Sequence, residues 1–260
     1  SGTVFFSHCT MRCIYCQNYP CSQEHHGEDM TVEQLTAVLD SLVEQGCHNW
    51  NLVSPTPWLP MIREAAAPLI ARDRRLPFVY NTSGFELLET LAAYRDLADI
   101  ALTDLRYARS ETAAEASDAT GYVEAARAAL LWFWRELGPL QVDDDGVARR
   151  GTICRLLVLP GHEDEAIGNL AWIARHIGTE LHVSLMSQYT PVYRALERPG
   201  WNRTVADEAY QRVTDAAESM GFENGWVQPP GAAGDTSLLG CEMPTGAGSV
   251  GEEETEHEWS

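Results

Sequence analysis

The sequence predicts an α/β fold, a partial (β/α)6 TIM-like barrel with parallel strands. Short β-type runs alternate with helical segments along most of the chain, as in successive βα units. Several strand segments are apolar on both faces, which is typical of parallel strands that are covered on both sides. Polar residues follow the C-terminal ends of several strands, where barrel sites are built. This placement favours a barrel over the competing doubly wound sheet.

The first half of the chain begins with a strand that leads into a cysteine-rich loop. The next helix has Thr31 and Gln34 at capping-box spacing. Its apolar residues repeat at helical spacing until Gly46 ends it. Pro60 and Pro68 interrupt the helix that follows the second strand. The predicted elements are a strand at 3–6, the loop at 9–23, a helix from 32, a strand at 49–53, helix 57–72, strand 77–80 and helix 85–94.

The second half continues the alternation of strands and helices. Pro160 and Gly161 close an apolar strand, and Thr204 is expected to cap the last long helix. Gly221 stands where that helix should end. The predicted elements are a strand at 99–103, helix 122–137, strand 152–159, helix 163–177, strand 181–186, helix 204–220 and a candidate seventh strand near Trp226.

Two regions differ in composition. Residues 1–228 are predicted to form one core domain. Residues 229–260 are rich in Gly, Pro and acidic residues and lack the apolar side chains that offset the entropy of ordering, so this tail is expected to be disordered. The first residue is Ser rather than Met, which suggests a fragment or a processed chain.

The charge excludes some partners. The chain has 38 acidic and 18 basic residues, all of the basic ones Arg, and a net charge of −20. Such a charge argues against binding nucleic acid or an anionic membrane. An acidic surface without lysine is typical of salt-adapted proteins, in which salt screens the self-repulsion. The sequence contains neither a membrane-length apolar run nor a signal peptide, so we expect a cytoplasmic protein.

Three cysteines lie within eight residues, at the end of the first strand. Cys9, Cys13 and Cys16 have the spacing CxxxCxxC. Ordinary electron-transfer clusters use four thiolates, so three thiolates on a [4Fe–4S] cluster would leave one iron without a protein ligand. An open metal position is typical of a site that binds substrate or cofactor. We expect the loop that carries these ligands to lie outside the barrel core.

Two other metal sites remain open from the spacing. Cys21 could close the cluster as a fourth thiolate. A tetrahedral zinc site could instead combine the three cysteines with Cys21 or with His8, His25 or His26. Either alternative would make the chain a non-catalytic module for electron transfer or structure.

The stretch Val4–Gln23 resembles radical S-adenosylmethionine (SAM) proteins related to the activating enzymes of pyruvate formate-lyase, and most closely an uncharacterised PflX-like branch. Residues 47–56, 79–84, 99–107, 155–161 and 185–189 resemble the later strand ends of that branch, so the likeness covers about residues 3–228. The resemblance implies a radical SAM core that holds a [4Fe–4S] cluster and SAM.

The resemblance also implies which residues bind the cofactor. The three cysteines would hold the cluster, and Tyr15 would lie near the adenine. The remaining expected cofactor-binding residues stand at strand ends: Ser54, Pro55, Thr56, Asn81, Ser83, Asp104, Arg106 and Gln188. Two positions depart from the family pattern, since Arg106 replaces a Lys and Leu156 stands where a His is expected.

By the same resemblance the chain would cleave SAM to a 5′-deoxyadenosyl radical that abstracts hydrogen from a substrate. The substrate would be either a protein or peptide, as for glycyl-radical activating enzymes, or a small molecule. The expected partner is an electron donor of the flavodoxin or ferredoxin type.

Overall fold

Seven parallel strands form one sheet in the computed structural model, which describes residues 1–231. The acidic part of the predicted tail, residues 232–260, lies outside the described residues. A further two-residue strand, β5, pairs antiparallel with β6. The strands are β1 Gly2–Phe5, β2 Trp50–Val53, β3 Phe78–Thr82, β4 Ile100–Asp104, β5 Gln141–Val142, β6 Ala148–Leu157, β7 His182–Met186 and β8 Gly225–Val227.

The strand order in the sheet follows the chain, β1-β2-β3-β4-β6-β7-β8. A doubly wound sheet would reverse direction at a switch point, so that alternative is wrong. Within residues 1–231, β1 and β8 lie at opposite ends of this order, so the sheet is open, as a partial barrel requires. The predicted parallel fold is confirmed, and the candidate strand near Trp226 is β8.

Eight α-helices connect the strands of the described chain. They are α1 Tyr19–Ser22, α2 Val32–Glu44, α3 Leu59–Ala71, α4 Leu88–Ala93, α5 Ser110–Ser117, α6 Tyr122–Leu137, α7 Glu163–His176 and α8 Asp207–Ser219. The capping box of α2 is confirmed. Thr31 Oγ1 accepts a hydrogen bond from the backbone of Gln34 at 3.3 Å, and Gln34 Oε1 accepts one from the Thr31 backbone at 2.8 Å. No helix in residues 1–231 is long and apolar enough to cross a membrane.

Two predicted helices have different bounds in the structure. The last helix does not begin at Thr204; α8 starts at Asp207, where Asp207 and Glu208 place negative charge at its N-terminus. The helix predicted at 85–94 is shorter, because the segment after Gly84 remains a loop as far as Leu87. The short helices α1 and α5 were not predicted.

The core has two parts. In one, α2 and α3 pack with the N-terminal strands, where Leu39 of α2, Ile62 of α3 and Trp50 of β2 are fully buried. The other contains the cysteine-rich loop, where Met11 and Cys13 are 1% and 3% exposed. The expectation that this loop lies outside the core is therefore wrong, because its apolar residues belong to the same buried cluster as residues of α5 and α6.

Candidate cofactor site

The cysteine-rich loop brings three thiols to one cavity. Cys9, Cys13 and Cys16 all line a cavity of about 80 Å³ at the C-terminal ends of β1 to β4. The backbone N–H groups of Arg12 and Ile14 donate to carbonyls of α5 at 3.0 and 2.9 Å. These bonds tie the loop to α5 and fix the direction of the cysteine between them.

Polar side chains contact two of the sulfurs. Cys13 Sγ accepts hydrogen bonds from Arg106 Nη1 and Ser117 Oγ, both at 3.0 Å. Cys16 Sγ lies 3.1 Å from Ser22 Oγ. Burial raises the pKa of Cys13, and it raises the pKa of Cys16 to about 12. Neither thiol therefore ionises at neutral pH unless a bound metal replaces the proton.

The donor set fits an iron–sulfur cluster. Three thiols of one loop line the same cavity, and the thiolates that hold a cubane each bind a different iron. Within the described part of the chain, no group of three or more His, Cys, Asp or Glu side chains is arranged to hold one metal ion. Cys21 lines the same cavity as these thiols and is disulfide-bonded. The free cysteines among residues 1–231 are Cys9, Cys13, Cys16, Cys47 and Cys154.

An ion network lies beside the three thiols. Asp104, whose side chain is 5% exposed, accepts from Arg106 Nη2 at 2.5 Å and from Arg155 Nε at 2.6 Å. Arg155 also donates to Asn81 Oδ1 at 3.2 Å, and Asn81 donates to Asn51 Oδ1 at 3.2 Å. Burial alone raises the pKa of Asp104, but the two guanidinium groups outweigh it and hold the pKa below its usual range. Both carboxylate oxygens of Asp104 therefore already accept hydrogen bonds from arginine side chains.

Tyr15 lies in an aromatic cluster. It is 3% exposed and stacks on Trp201 with ring centroids 5.7 Å apart. Its hydroxyl is 2.5 Å from that of Tyr107, which in turn hydrogen-bonds Ser117 Oγ at 2.5 Å. This series of hydroxyl groups ends at Ser117, which donates a hydrogen bond to the Cys13 sulfur. Tyr15 also lines a second, larger cavity.

The larger cavity, of about 410 Å³, opens beside the thiols and shares lining residues with the smaller one. Gln188 lines it; its Oε1 accepts from Gln228 at 3.0 Å and its carbonyl accepts from Gln17 at 3.0 Å. The residues common to both cavities are Phe5, Cys16, Asn18, Val53, Asn81, Asp104, Arg106 and Arg155. A mainly polar lining of amides, hydroxyls and guanidinium groups suits a polar ligand.

A small recess lies at the ends of β2 and β3. Ser54 has a left-handed backbone (φ 54°), and its N–H donates to the carbonyl of Asn81 at 2.9 Å. Thr56 Oγ1 donates to Glu86 Oε1 at 2.6 Å. The Ser83 carbonyl accepts from Tyr122 at 2.8 Å. The recess is lined by Cys9, Thr10, Ser54, Thr56, Pro57, Thr82, Ser83 and Glu86.

The predicted site residues come together, with one exception. Pro55 is buried and lines none of these cavities, while every other predicted residue lines at least one. Leu156, the position where a His was expected, is 1% exposed in the core. Its neighbours Arg155 and Leu157 line the larger cavity instead. Because strand residues alternate between faces, a histidine at 156 would not reach the site.

Sequence reasoning missed several residues that contact the site. Arg155 pairs with Asp104 in the β4–β6 register, which no local pattern reveals. Ser117 belongs to the unpredicted helix α5, and Glu86 lies in the segment that was predicted as helix. The sequence signal that could have identified Arg155 as a site residue was its position near the end of a strand.

Comparisons with known proteins agree with this fold. The model of the Radical SAM superfamily matches residues 3–131. An uncharacterized protein of Methanocaldococcus jannaschii is 25% identical over 233 residues, which is 86% of this chain but 63% of that protein. The chain thus spans less than two thirds of this relative.

Solved structures share the fold at low identity. The FeFe-hydrogenase maturase HydG from Carboxydothermus hydrogenoformans has a TM-score of 0.59 and 13% identity, over 86% of this chain and 52% of that one. Streptococcus suis SuiB, solved with bound S-adenosylmethionine, has a TM-score of 0.58 and 13% identity, over 87% of this chain and 50% of that one.

Proposed function

We propose that this chain is a radical SAM enzyme that reductively cleaves SAM, a proposal supported by the match of residues 3–131 to the Radical SAM superfamily model. The observation that carries the proposal is the convergence of three free thiols on one cavity that adjoins a larger polar cavity. A [4Fe–4S] cluster bound there would supply the electron that splits SAM into methionine and a 5′-deoxyadenosyl radical, which abstracts hydrogen from the substrate.

In this proposal the cysteines hold the cluster and their neighbours adjust it. Cys9, Cys13 and Cys16 provide the thiolates. Arg106 and Ser117 donate hydrogen bonds to the Cys13 sulfur, and such bonds tune a cluster's reduction potential. Asp104 holds the Arg106 side chain in place through an ion pair, so the guanidinium group stays beside the Cys13 sulfur.

The remaining predicted residues would bind SAM along the two cavities. Tyr15 lines the larger cavity, and Asn81 and Gln188 would offer amides there to the polar groups of the cofactor. A second set lies at the ends of β2 and β3, near the proposed position of the amino-acid end of SAM. Ser54, Thr56 and Ser83 line the recess there, and Pro55 is buried between the first two in the chain.

The finer assignment is to the PflX-like branch related to glycyl-radical activating enzymes. On this resemblance we propose a protein or peptide substrate, with a small molecule as the alternative, and an electron donor of the flavodoxin or ferredoxin type. The net charge of −20 supports a salt-adapted protein that binds neither nucleic acid nor an anionic membrane.

Anaerobic reconstitution with iron and sulfide, followed by dithionite and SAM, tests this function. We expect formation of 5′-deoxyadenosine by the wild type. Cys13→Ala should lose the brown cluster absorbance and all SAM cleavage, because a cluster ligand is missing. Cys47→Ala, which alters a cysteine that lines none of the site cavities, is the matched control and should retain both. Bound zinc in place of iron, or an iron–sulfur protein that forms no 5′-deoxyadenosine, would instead identify a non-catalytic module.

A further inference from the structure

Three hydroxyl groups form a continuous series that reaches the Cys13 sulfur. The Tyr15 hydroxyl lies 2.5 Å from that of Tyr107, which lies 2.5 Å from Ser117 Oγ. Ser117 Oγ in turn lies 3.0 Å from Cys13 Sγ. All four residues are buried, Tyr107 and Ser117 completely. Solvent therefore does not compete for the hydrogen bonds of this series.

The sulfur fixes the direction of the series. A thiolate that is bound to iron carries no proton, so Cys13 can only accept, and the Ser117 hydroxyl must donate to it. Because a hydroxyl has a single proton, Ser117 Oγ must then accept from Tyr107, and the Tyr107 hydroxyl must accept from Tyr15. All three hydroxyl protons are thus directed along the series towards the sulfur.

The surrounding fold holds the two inner members of the series in place. Ser117 is the last residue of α5, and its carbonyl accepts a hydrogen bond at 3.0 Å from the backbone N–H of Arg12 in the cysteine-rich loop. Tyr107 lies between β4 and α5, and its ring packs edge-on against Tyr122 with centroids 5.2 Å apart. The hydroxyls are therefore held at the sulfur by packing before any cluster binds.

We infer that Tyr107 is a positioning residue for the cluster: acting through Ser117, it strengthens the hydrogen bond to the Cys13 sulfur and raises the cluster's reduction potential. A donor to a ligand sulfur stabilises the more negative, reduced cluster more than the oxidised one. A hydroxyl that accepts a hydrogen bond also donates more strongly, by about 10–30% for each bond in a series. Tyr15 extends the same series by one bond. The inference rests on the proposed function, since it requires a cluster on Cys13.

Redox titration of the reconstituted proteins without SAM, followed by the electron paramagnetic resonance of the reduced cluster, tests this role. Ser117→Ala removes the direct donor and should lower the equilibrium constant for one-electron reduction about tenfold, a shift of about −59 mV. Tyr107→Phe keeps the ring and removes the hydroxyl. It should lower this constant by at least about twofold, or about −18 mV, since the remaining Ser117 bond is weakened by about 30%. The double variant should match Ser117→Ala, because Tyr107 acts only through Ser117.

The matched control is Tyr210→Phe, which removes a buried hydroxyl that donates to the Leu185 carbonyl at 3.0 Å. This variant should lose thermal stability and keep the wild-type potential, because a purely structural hydroxyl does not act on the sulfur.

Three results would overturn the inference: a Tyr107→Phe potential equal to that of Tyr210→Phe, a double variant whose shift is the sum of the two single shifts, or loss of iron from Tyr107→Phe. If the reconstituted wild type takes up no iron–sulfur cluster, the proposed function fails together with the inference. A wild-type cluster with an unshifted potential in Tyr107→Phe overturns the inference alone.

Discussion

Replacement of Asp104 by Asn should destabilise the protein strongly, because this one carboxylate neutralises two guanidinium groups. The Asp104 side chain is 5% exposed, and those of Arg106 and Arg155 are 21% and 26% exposed. Removing one partner from a buried ion pair costs about 3–5 kcal/mol. Since both arginines retain some contact with solvent, we expect about 3 kcal/mol, near the lower end of that range.

For a chain of this size, such a loss corresponds to a fall in Tm of about 6–12 °C, which far-UV circular dichroism would record. The pKa of Asp104 is held below its usual range, so its contribution is complete above the unfolded-state pKa of about 3.9 and disappears as pH falls through the lower folded-state pKa. The difference in Tm between wild type and Asp104→Asn should therefore persist at pH 7 and pH 5.

The matched control is Asp96→Asn, which breaks an exposed pair with Arg63. Those side chains are 59% and 42% exposed. Exposed pairs contribute about 1 kcal/mol or less, so Tm should fall by less than about 4 °C. If Asp104→Asn melts within about 2 °C of the wild type, the buried network does not support the fold as argued, and the reasoning is refuted.

Two further predictions concern residues away from the thiols. Burial raises the pKa of Glu165, but hydrogen bonds, from His162 first and also from the backbone of Ala108 and Arg109, bring it to about 2. Glu165→Gln should therefore lower the free energy of unfolding by up to about 3 kcal/mol above pH ~4.3. Urea titrations should show this difference from the wild type shrinking as pH falls towards about 2. A difference independent of pH would contradict the assigned charge of Glu165. Gly84→Ala should lower the free energy of unfolding by more than about 1 kcal/mol, because the residue has φ +83° and an added Cβ would lie 2.5 Å from the Asp104 carbonyl oxygen. A thermal unfolding curve unchanged from the wild type would contradict this, since β4 would then shift at no cost.

The predicted parts of the fold depended on local patterns. The period of apolar residues gave the strands and most helices, and the Thr31 and Gln34 spacing gave a capping box that forms as expected. The same reasoning overextended the helix around Glu86, because its apolar pattern continues through a segment that the structure holds as a loop. Local helix propensity was overridden there by the bonds from Thr56 and Thr82.

The sequence by itself determined that three cysteines lie together at the end of the first strand and that polar residues follow later strands, because both are properties of spacing along the chain. The tertiary structure decided which of those residues meet. The β4–β6 register pairs Asp104 with Arg155, the packing of α5 brings Ser117 to Cys13, and the β3–α4 loop buries Glu86 beside Cys9. These contacts join residues that are 51 to 104 positions apart, and no local periodicity encodes the geometry of such distant pairs.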